Sequence, residues 1–346
     1  MESATQLTES VLLVSKTEIQ KNLDFLASFE ALGSPFVAVQ FLDGKPEFYR
    51  SSANGFAHTK NFQVEEVFVD LQHFIKYLKI LPSAFEMSVA PNGTLQLYAK
   101  GSSVGYQTFF VHTTSKSQAG FQRYILGGRN TDFLAHTFAG LDVRHIETKY
   151  MSGNPTFSNG KVLIPLTLGT VIWSAEFLPL TCEYSPKFSF LKLVSGRASV
   201  FDMHLTDNGY WTATVDGLTV HLKGQGPDTR MFRRQTLPGT EICKFTADAL
   251  LGGLSGAASF IGGTDFVTVD PKSGITIRDE FGLPAQWTLD EGLSWQKFSI
   301  SGAQAKLVAN TLKQSQDEYV VLSDVPTDTA PLLRFTRGNF AVNIPL

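Results

Sequence analysis

Cysteine is scarce in this 346-residue chain, which contains only Cys182 and Cys243 and no CxxC pair. Two cysteines exclude a disulfide framework and a cysteine-rich zinc site, and they suit a reducing compartment. We expect both to be small, buried hydrophobic side chains.

Long apolar runs are also lacking. No stretch approaches the roughly 18 uninterrupted apolar residues of a membrane-spanning helix. The N-terminus, MESATQLTES, has no basic segment followed by an apolar one. The sequence therefore predicts a soluble, cytoplasmic protein that does not contact a membrane.

Charge is sparse and nearly balanced. The chain has 29 Lys and Arg against 32 Asp and Glu, a formal net charge of −3, and charged residues make up 18% of it. This balance excludes a polycation that would bind nucleic acid by bulk charge. The 43% hydrophobic content is enough for a large core, and the abundance of Gly and Phe is typical of β-rich assembly proteins.

Motifs for catalysis, metals or cofactors are missing. Seven histidines are scattered without HxxxH or HExxH spacing, and there is no GxSxG, no Walker motif and no GxGxxG between a strand and a helix. Asp202, Asp207 and Asp216 stand near strand turns, where Asp is common. The glycine pairs at 252–253 and 262–263 indicate close packing rather than phosphate binding. We therefore expect no enzyme activity, no cofactor and no metal.

What the chain does contain is a repeated order of strand, helix and hairpin. Residues 11–15 have the pattern of a strand and 16–32 that of an amphipathic helix, followed by strands turned at Asp-Gly and Asn-Gly dipeptides. The same order recurs as a strand at 67–70, a helix at 71–81 and further hairpin strands. Two such units fill about one domain.

Two more units stand near the C-terminus, with helices predicted over 244–262 and 302–316. The middle is less regular. Its pattern indicates a short helix within 167–180 and a strand at 187–196, and residues 130–151 fit a shortened unit.

Six units in 346 residues average about 58 residues each, so a pair has the size of one compact domain. We predict an α+β fold of three tandem domains: residues 1–115, a divergent domain at 116–238, and residues 239–346. Helices would line one surface of a curved wall and antiparallel sheets the other. Edge strands at both ends would favour pairing between chains and closure of a ring.

The predicted helices carry paired lysines whose spacing keeps each pair on one broad face. Lysines on one surface would neutralise duplex phosphates without reading bases; alternatively, they only solvate the outer faces of amphipathic helices. The candidate DNA-facing residues are Lys16, Lys21, Lys76, Lys79, Lys306 and Lys313.

A dense basic and aromatic cluster is formed by Arg230, Arg233 and Arg234 with Phe232. This composition can stack on and bind nucleic acid. The alternative is a solvated connector loop whose Phe232 packs against a domain.

Four stretches, 67–99, 226–238, 245–279 and 340–346, resemble DNA polymerase sliding clamps, and the layout is most similar to the three-domain bacterial β clamp. The first and third resemble the helix-and-hairpin half of a clamp domain. GPDTRMFRRQTLP resembles the family's Pro-Asp-x-Arg-Arg connector, with extra residues after the Asp. FAVNIPL resembles the clamp terminus, in which Met-Pro-Met stands where this chain has Ile-Pro-Leu.

The resemblance implies a head-to-tail homodimer that encloses duplex DNA, tethers a polymerase and performs no chemistry. Polymerase and clamp loader would insert short hydrophobic peptides into a pocket beside the connector. Carried over by position, the pocket residues are Pro227, Arg234, Gln235, Val342, Ile344, Leu346, Gly160 and Lys161. The family has a hydrophobic residue where Gln235 stands, which indicates a different peptide motif. The C-terminal strand could instead be a plain edge strand.

Two alternatives remain open from the sequence. The first is a β-rich viral structural or assembly protein, which the low charge and the many Gly and Phe residues favour. The second is a clamp-fold protein that binds DNA as a monomer.

Overall fold

The computed structural model describes most of the chain. The described residues are 12–28, 35–52, 55–59, 67–89, 94–100, 106–111, 128–129, 141–158, 160–174, 184–195, 200–206, 209–278, 284–290, 295–328 and 330–345. Contacts divide the chain into two compact units. Unit 1 comprises 1–130 and 199–223, and unit 2 comprises 131–198 and 224–346.

Unit 1 contains the two N-terminal repeats and three later strands. Its helices are α1 (Lys16–Ser28) and α2 (Leu71–Ile80). Its strands are β1 (Leu12–Ser15), β2 (Phe36–Leu42), β3 (Lys45–Ser52), β4 (Gly55–Thr59), β5 (Val67–Asp70), β6 (Ala84–Val89), β7 (Leu95–Lys100), β8 (Tyr106–Val111), β9 (Gly128–Arg129), β13 (Val200–Thr206), β14 (Tyr210–Val215) and β15 (Leu218–Lys223).

These strands form two antiparallel sheets, ordered β1-β6-β7-β8 and β5-β2-β3-β4-β15-β14-β13-β9. The strand before each helix pairs with the hairpin strands of the other repeat, since β1 joins β6 and β5 joins β2. The two repeats therefore depend on each other for sheet completion. Helices α1 and α2 lie side by side and bury Leu23, Leu26, Phe74 and Leu78 completely.

Unit 2 contains the middle segment and the two C-terminal repeats. Its helices are α3 (Phe188–Val194), α4 (Thr229–Gln235), α5 (Ala247–Phe260) and α6 (Gly302–Leu312), with a 3₁₀ turn at Thr148–Tyr150. Its strands are β10 (Thr156–Ser158), β11 (Lys161–Leu166), β12 (Gly169–Ser174), β16 (Thr240–Thr246), β17 (Phe266–Asp270), β18 (Gly274–Arg278), β19 (Pro284–Trp287), β20 (Phe298–Ser301), β21 (Tyr319–Val325), β22 (Leu332–Arg337) and β23 (Phe340–Pro345).

The C-terminal repeats exchange strands in the same way as the N-terminal ones: β20 joins β17, and β16 joins β21. The antiparallel sheets of unit 2 are ordered β19-β18-β17-β20 and β10-β11-β12-β23-β22-β21-β16. The prediction of an α+β fold built on repeated strand, helix and hairpin units is thus confirmed, and the described residues contain six α-helices.

Helix α5 packs very closely on its neighbouring sheet. A Cβ atom added to Gly253 would lie 2.5 Å from Ile275 Cδ1, and one added to Gly256 would lie 2.7 Å from Trp287 Nε1. The expectation that glycine at 252–253 serves packing is confirmed at Gly253. Asp216, in the left-handed region at φ 53°, is a turn residue as expected.

One local prediction in the middle of the chain is wrong, and a second is not met in the described residues. Residues 187–196, expected as a strand, contain helix α3, which buries Phe188, Phe190, Leu191, Leu193 and Val194. A short helix was expected within 167–180; the described part, 167–174, contains β12, which is hydrogen-bonded on both sides, and 175–180 lie outside the described residues. A strand buried on both faces is continuously apolar and has no period of two, so pattern alone does not identify it.

Helix ends differ from the predictions by a few residues. The helix predicted over 244–262 is α5, because β16 continues to Thr246, and the one over 302–316 ends at Leu312. The connector, expected as a loop, contains the short helix α4. Of the two cysteines, Cys243 is buried as predicted, and Cys182 lies outside the described residues.

Within the described residues, no helix has both the length and the apolar character to cross a bilayer. The same residues contain no group of three or more His, Cys, Asp or Glu arranged to hold a metal ion.

Candidate nucleic-acid interface and partner cleft

The lysines of α1 and α2 in unit 1 do not behave alike. Lys16 Nζ donates to the carbonyl oxygens of Lys79 (3.2 Å) and Leu81 (2.8 Å), so it satisfies carbonyls at the C-terminal end of α2. Lys21, Lys76 and the Lys79 side chain are exposed. The structure therefore uses Lys16 to join two helices and leaves the other three lysines on the surface.

In unit 2, Lys306 is exposed on α6, and Lys313 directly follows the helix. Lys313 Nζ donates to Ser255 Oγ on α5 at 3.1 Å. Helix α5 itself contains no Lys or Arg. Positive charge on this helix pair thus comes from α6 and its C-terminal end.

Two further lysines, Lys149 and Lys192, act on the same carboxylate as Lys306. The sequence pattern did not identify either of them. The pKa of the exposed Glu147 carboxyl is held below its ordinary value, first by the hydrogen bond from Lys149 and also by the fields of Lys306 and Lys192. Lys149 Nζ lies 2.6 Å from Glu147 Oε2. Lys149, Lys192 and Lys306 all act on the Glu147 carboxyl, and we call these three the basic cluster.

The segment that carries Lys149 is fixed to α6 by side-chain hydrogen bonds. The Gln314 amide accepts from the Asp142 N–H and donates to the Asp142 carbonyl, both at 2.8 Å. His145 Nε2 lies 3.3 Å from Thr311 Oγ1, and burial lowers the pKa of His145. These contacts tie residues 142–145 to α6 and to the residues that directly follow it.

The basic cluster is suited to phosphate binding. Its three ammonium groups outnumber the single Glu147 carboxylate among them, and lysine is a flexible point charge without a fixed fork of donors. Such a surface attracts a polyanion in a salt-dependent way and does not distinguish bases. Lys149 and Lys192 were missed because each is one lysine on a short or irregular segment, with no helical periodicity to mark it.

The connector helix α4 forms the second site of interest. Asp228 caps its N-terminus by accepting from the Met231 N–H at 2.9 Å. Phe232 is buried against Leu163, Ile172 and Ala341 of the seven-stranded sheet. The alternative in which Phe232 packs against a domain is thus confirmed, and the ring is unavailable for stacking on a base.

The C-terminal end of α4 is held by Arg334 and Asn343. Arg334 donates to the carbonyls of Gln235 and Leu237 and to Asn343 Oδ1, each at 2.8 Å. Asn343 Nδ2 donates to the Gln235 carbonyl at 2.9 Å and to its Oε1 at 2.8 Å. Burial lowers the pKa of Arg334. The Gln235 side chain therefore closes this network, and neither Arg334 nor Asn343 was identified from the sequence.

A cleft of ≈ 620 Å³ lies beside α4. Among the predicted pocket residues, Arg234 and Gln235 line it, and Pro227 immediately precedes the capping Asp228. The full lining is Asp228, Thr229, Arg230, Met231, Arg233, Arg234, Gln235, Leu237, Thr327 and Asp328.

The other predicted pocket residues lie elsewhere. Val342 and Ile344 are completely buried in β23. Gly160, at φ 71°, directly precedes β11, and Lys161 is the first residue of that strand; both are partly exposed. Leu346 lies outside the described residues. The structure thus brings Arg234 and Gln235 together in the cleft but gives Val342 and Ile344 no exposed surface.

The seven-stranded sheet separates α4 from α6. Ala341 and Asn343 face α4, so the alternation of side chains along β23 directs Val342 and Ile344 to the opposite face. Arg337, which pairs with Phe340 and shares that opposite face, donates to the carbonyl of Leu312 in α6 at 3.1 Å. The cleft and the α6 lysine therefore lie on opposite sides of one sheet.

No model of a known protein family matches the chain, and no curated protein matches it. Among solved structures it is similar to the β clamp of Helicobacter pylori bound to a DNA ligase peptide (13% identity, TM-score 0.65, 97% of this chain and 99% of that chain). It is also similar to the DNA polymerase III β chain of Streptococcus pneumoniae (12%, 0.67, 98% and 99%) and the DNA polymerase sliding clamp of Bacillus subtilis (13%, 0.64, 98% and 99%). The chain has the fold of bacterial β sliding clamps over nearly its full length.

Proposed function

We propose that this protein is a DNA sliding clamp. Two copies would join head to tail into a ring around duplex DNA, with helices inside and sheets outside, and would tether a polymerase without catalysing a reaction. Each chain would contribute three domains, residues 1–115, 116–238 and 239–346. The ring would act in the cytoplasm at sites of replication.

The observation that carries the proposal is the order of the strands at the junctions between sheets. Each repeat has three consecutive hairpin strands, and the third strand of one repeat pairs with the third strand of a later repeat. In this way β4 pairs with β15, and β12 pairs with β23. Two equivalent strands, β19 and β8, are sheet edges in the described residues. The same rule applied between two copies pairs β19 of one with β8 of the other, which is a head-to-tail contact.

An exposed aromatic residue beside β19 supports this pairing. Phe260 is 67% exposed, and its ring centroid lies 6.1 Å from that of Trp287 of β19. Phe266 of β17, in the same sheet, is equally exposed. Aromatic side chains left this exposed in a sheet with an open edge are typical of a surface that a partner covers. Two such interfaces would close the ring.

The mass in solution tests this arrangement. We expect light scattering at micromolar concentration to give a dimer, and Phe260→Asp together with Phe266→Asp to give a monomer. The control is Leu237→Asp, an exposed apolar residue away from β19. A monomer for the unmodified chain would favour a monomeric clamp-fold DNA-binding protein, and large polymers would favour an assembly protein; either result would reject the ring.

The contact with DNA would use the basic cluster and the exposed lysines of α1 and α2. Rings opened by high salt and closed around a nicked circular plasmid at low salt should remain bound and should leave once the plasmid is cut. Replacing Lys149, Lys192 and Lys306 by Ala should weaken binding to a short duplex and flatten its salt dependence. The matched control is Lys272→Ala in the β17–β18 turn. Equal retention on circular and cut plasmid would contradict encirclement.

Partner proteins such as a polymerase and a clamp loader would dock short hydrophobic peptides in the cleft beside α4. The cleft is large enough for a few side chains, and the Arg334 and Asn343 network fixes its wall. Val342 and Ile344 would support this wall from the other face of the sheet without touching a peptide.

A further inference from the structure

Three arginines of α4 line the cleft. Arg230, Arg233 and Arg234 are exposed, and in the part of the chain that the structure describes none of them makes a hydrogen bond or an ion pair. Other exposed cations do find partners, since Arg144 pairs with Asp142 at 2.6 Å. Three unpaired guanidinium groups on two turns of helix repel one another unless an anion joins them.

The acidic residues of the cleft do not balance these arginines. The Asp228 carboxylate accepts the capping hydrogen bond of α4, which leaves Asp328 as the other acidic side chain of the lining. The cleft is therefore net positive, although the whole chain has a net charge of −3.

The cleft also has apolar lining residues and a fixed wall. Met231 packs against the group around Phe232, and Leu237 is 38% exposed. Arg334 holds the backbone of Gln235 and Leu237, so little ordering is needed when a ligand binds. A lining that combines Met231 and Leu237 with three guanidinium groups fits a ligand that has both apolar side chains and carboxylates.

We propose that the cleft binds an acidic peptide segment, in which one or two apolar side chains are flanked by Asp or Glu. The apolar side chains would contact Met231 and Leu237, and the carboxylates would pair with the arginines in the bidentate geometry that guanidinium favours. The proposal rests on the proposed function for the identity of the partner, a replication protein, but the binding itself requires neither DNA nor a ring.

A nucleic acid fits this cleft less well than a peptide. Arginine also binds phosphate, but the one aromatic ring of α4, Phe232, is buried, and the basic cluster includes Lys306 of α6 on the other side of the sheet. A duplex bound along α6 would not reach α4. DNA binding at the arginines is therefore a separate outcome that the experiment must detect.

The test measures binding of two synthetic nonapeptides to the full chain by fluorescence anisotropy. Both contain a central Leu-Phe pair; one has two Asp or Glu on each side, and the other has Asn or Gln at the same positions. We expect the acidic peptide to bind about tenfold more tightly, the combined effect of two or three exposed ion pairs, and to lose this advantage in high salt.

Variants assign the effect to the cleft. Arg230→Gln with Arg234→Gln should remove the preference for the acidic peptide, and Arg144→Gln, an exposed arginine outside the cleft, should leave it unchanged. Equal affinity for both peptides, or binding to neither, would overturn the proposal. The proposal would also be overturned if Arg230→Gln with Arg234→Gln lost binding to duplex DNA but kept its binding to the acidic peptide. Solution mass and plasmid retention of the same variant report separately on the ring.

Discussion

Phe232 is the buried side chain of α4, and its removal gives a measurable prediction. A helix of seven residues is not stable by itself in water, so α4 must be held by tertiary contacts. Phe232 is 7% exposed and packs against Leu163, Ile172 and Ala341. Phe232→Ala removes a buried ring and leaves a cavity against the sheet.

We expect Phe232→Ala to lower the free energy of unfolding by about 3–5 kcal/mol. This is a large share of the roughly 5–15 kcal/mol by which a typical domain is stable. Urea denaturation, followed by fluorescence and circular dichroism, measures the change through the midpoint and the slope. Phe232→Leu, which keeps most of the apolar volume, should cost less than about 1.5 kcal/mol.

Arg233→Ala is the matched control, because this exposed neighbour on the same helix has no described partner and should change the free energy by less than about 0.5 kcal/mol. A loss below about 1 kcal/mol for Phe232→Ala would show that α4 is not anchored through this ring. Equal losses for Phe232→Ala and Arg233→Ala would refute the reasoning in the same way.

Three further predictions concern single side chains. Burial holds the pKa of His58 below its ordinary 6.5. The folded chain therefore binds fewer protons than the unfolded one, and its stability should fall as the pH drops below about 6.5. His58→Gln should reduce that slope in denaturation series at several pH values. Burial raises the pKa of Cys243 to about 11 from 9.0. In a Cys182→Ser background, the Cys243 thiol should therefore react with a disulfide reagent at pH 8 about a hundredfold more slowly than an ordinary cysteine. Equal reaction rates would contradict this prediction. Ser301 and Gln304 form a reciprocal cap on α6, so Ser301→Ala should cost about 1 kcal/mol and Ser301→Asp much less, both measured by thermal unfolding.

The long amphipathic segments were predictable because their signals are local. Helix α2 was expected at 71–81 and is observed at Leu71–Ile80, with Leu71, Phe74 and Leu78 buried as their spacing requires. The middle of the chain, at α3 and β12, was predicted less well for the opposite reason. Both are apolar on nearly every side, so their burial on several faces removes the periodicity that distinguishes a helix from a strand.

The candidate sites were predicted only where one segment contains the whole signal. The arginines of α4 stand close together in the sequence and were noticed there. The basic cluster takes Lys149, Lys192 and Lys306 from three elements. Residues 141–150 are tied to α6 through Gln314 and to the end of α3 through the hydrogen bond from the Val143 N–H to Ser195 Oγ. Lys16 is the opposite case. The sequence pattern predicted it on the surface facing DNA, but in the structure its ammonium group donates to carbonyls at the C-terminal end of α2.

By itself the sequence determined the repeated strand, helix and hairpin units, the absence of recognisable catalytic and metal-binding motifs, and a resemblance to sliding clamps that the fold comparison confirms. These properties depend on residues near one another along the chain. Only the tertiary structure decided which strands exchange between repeats, which lysines converge, and that Arg334 and Asn343 hold the connector helix. Those contacts join residues up to 172 positions apart, as between Asp142 and Gln314, and their energies depend on packing and burial rather than on local pattern.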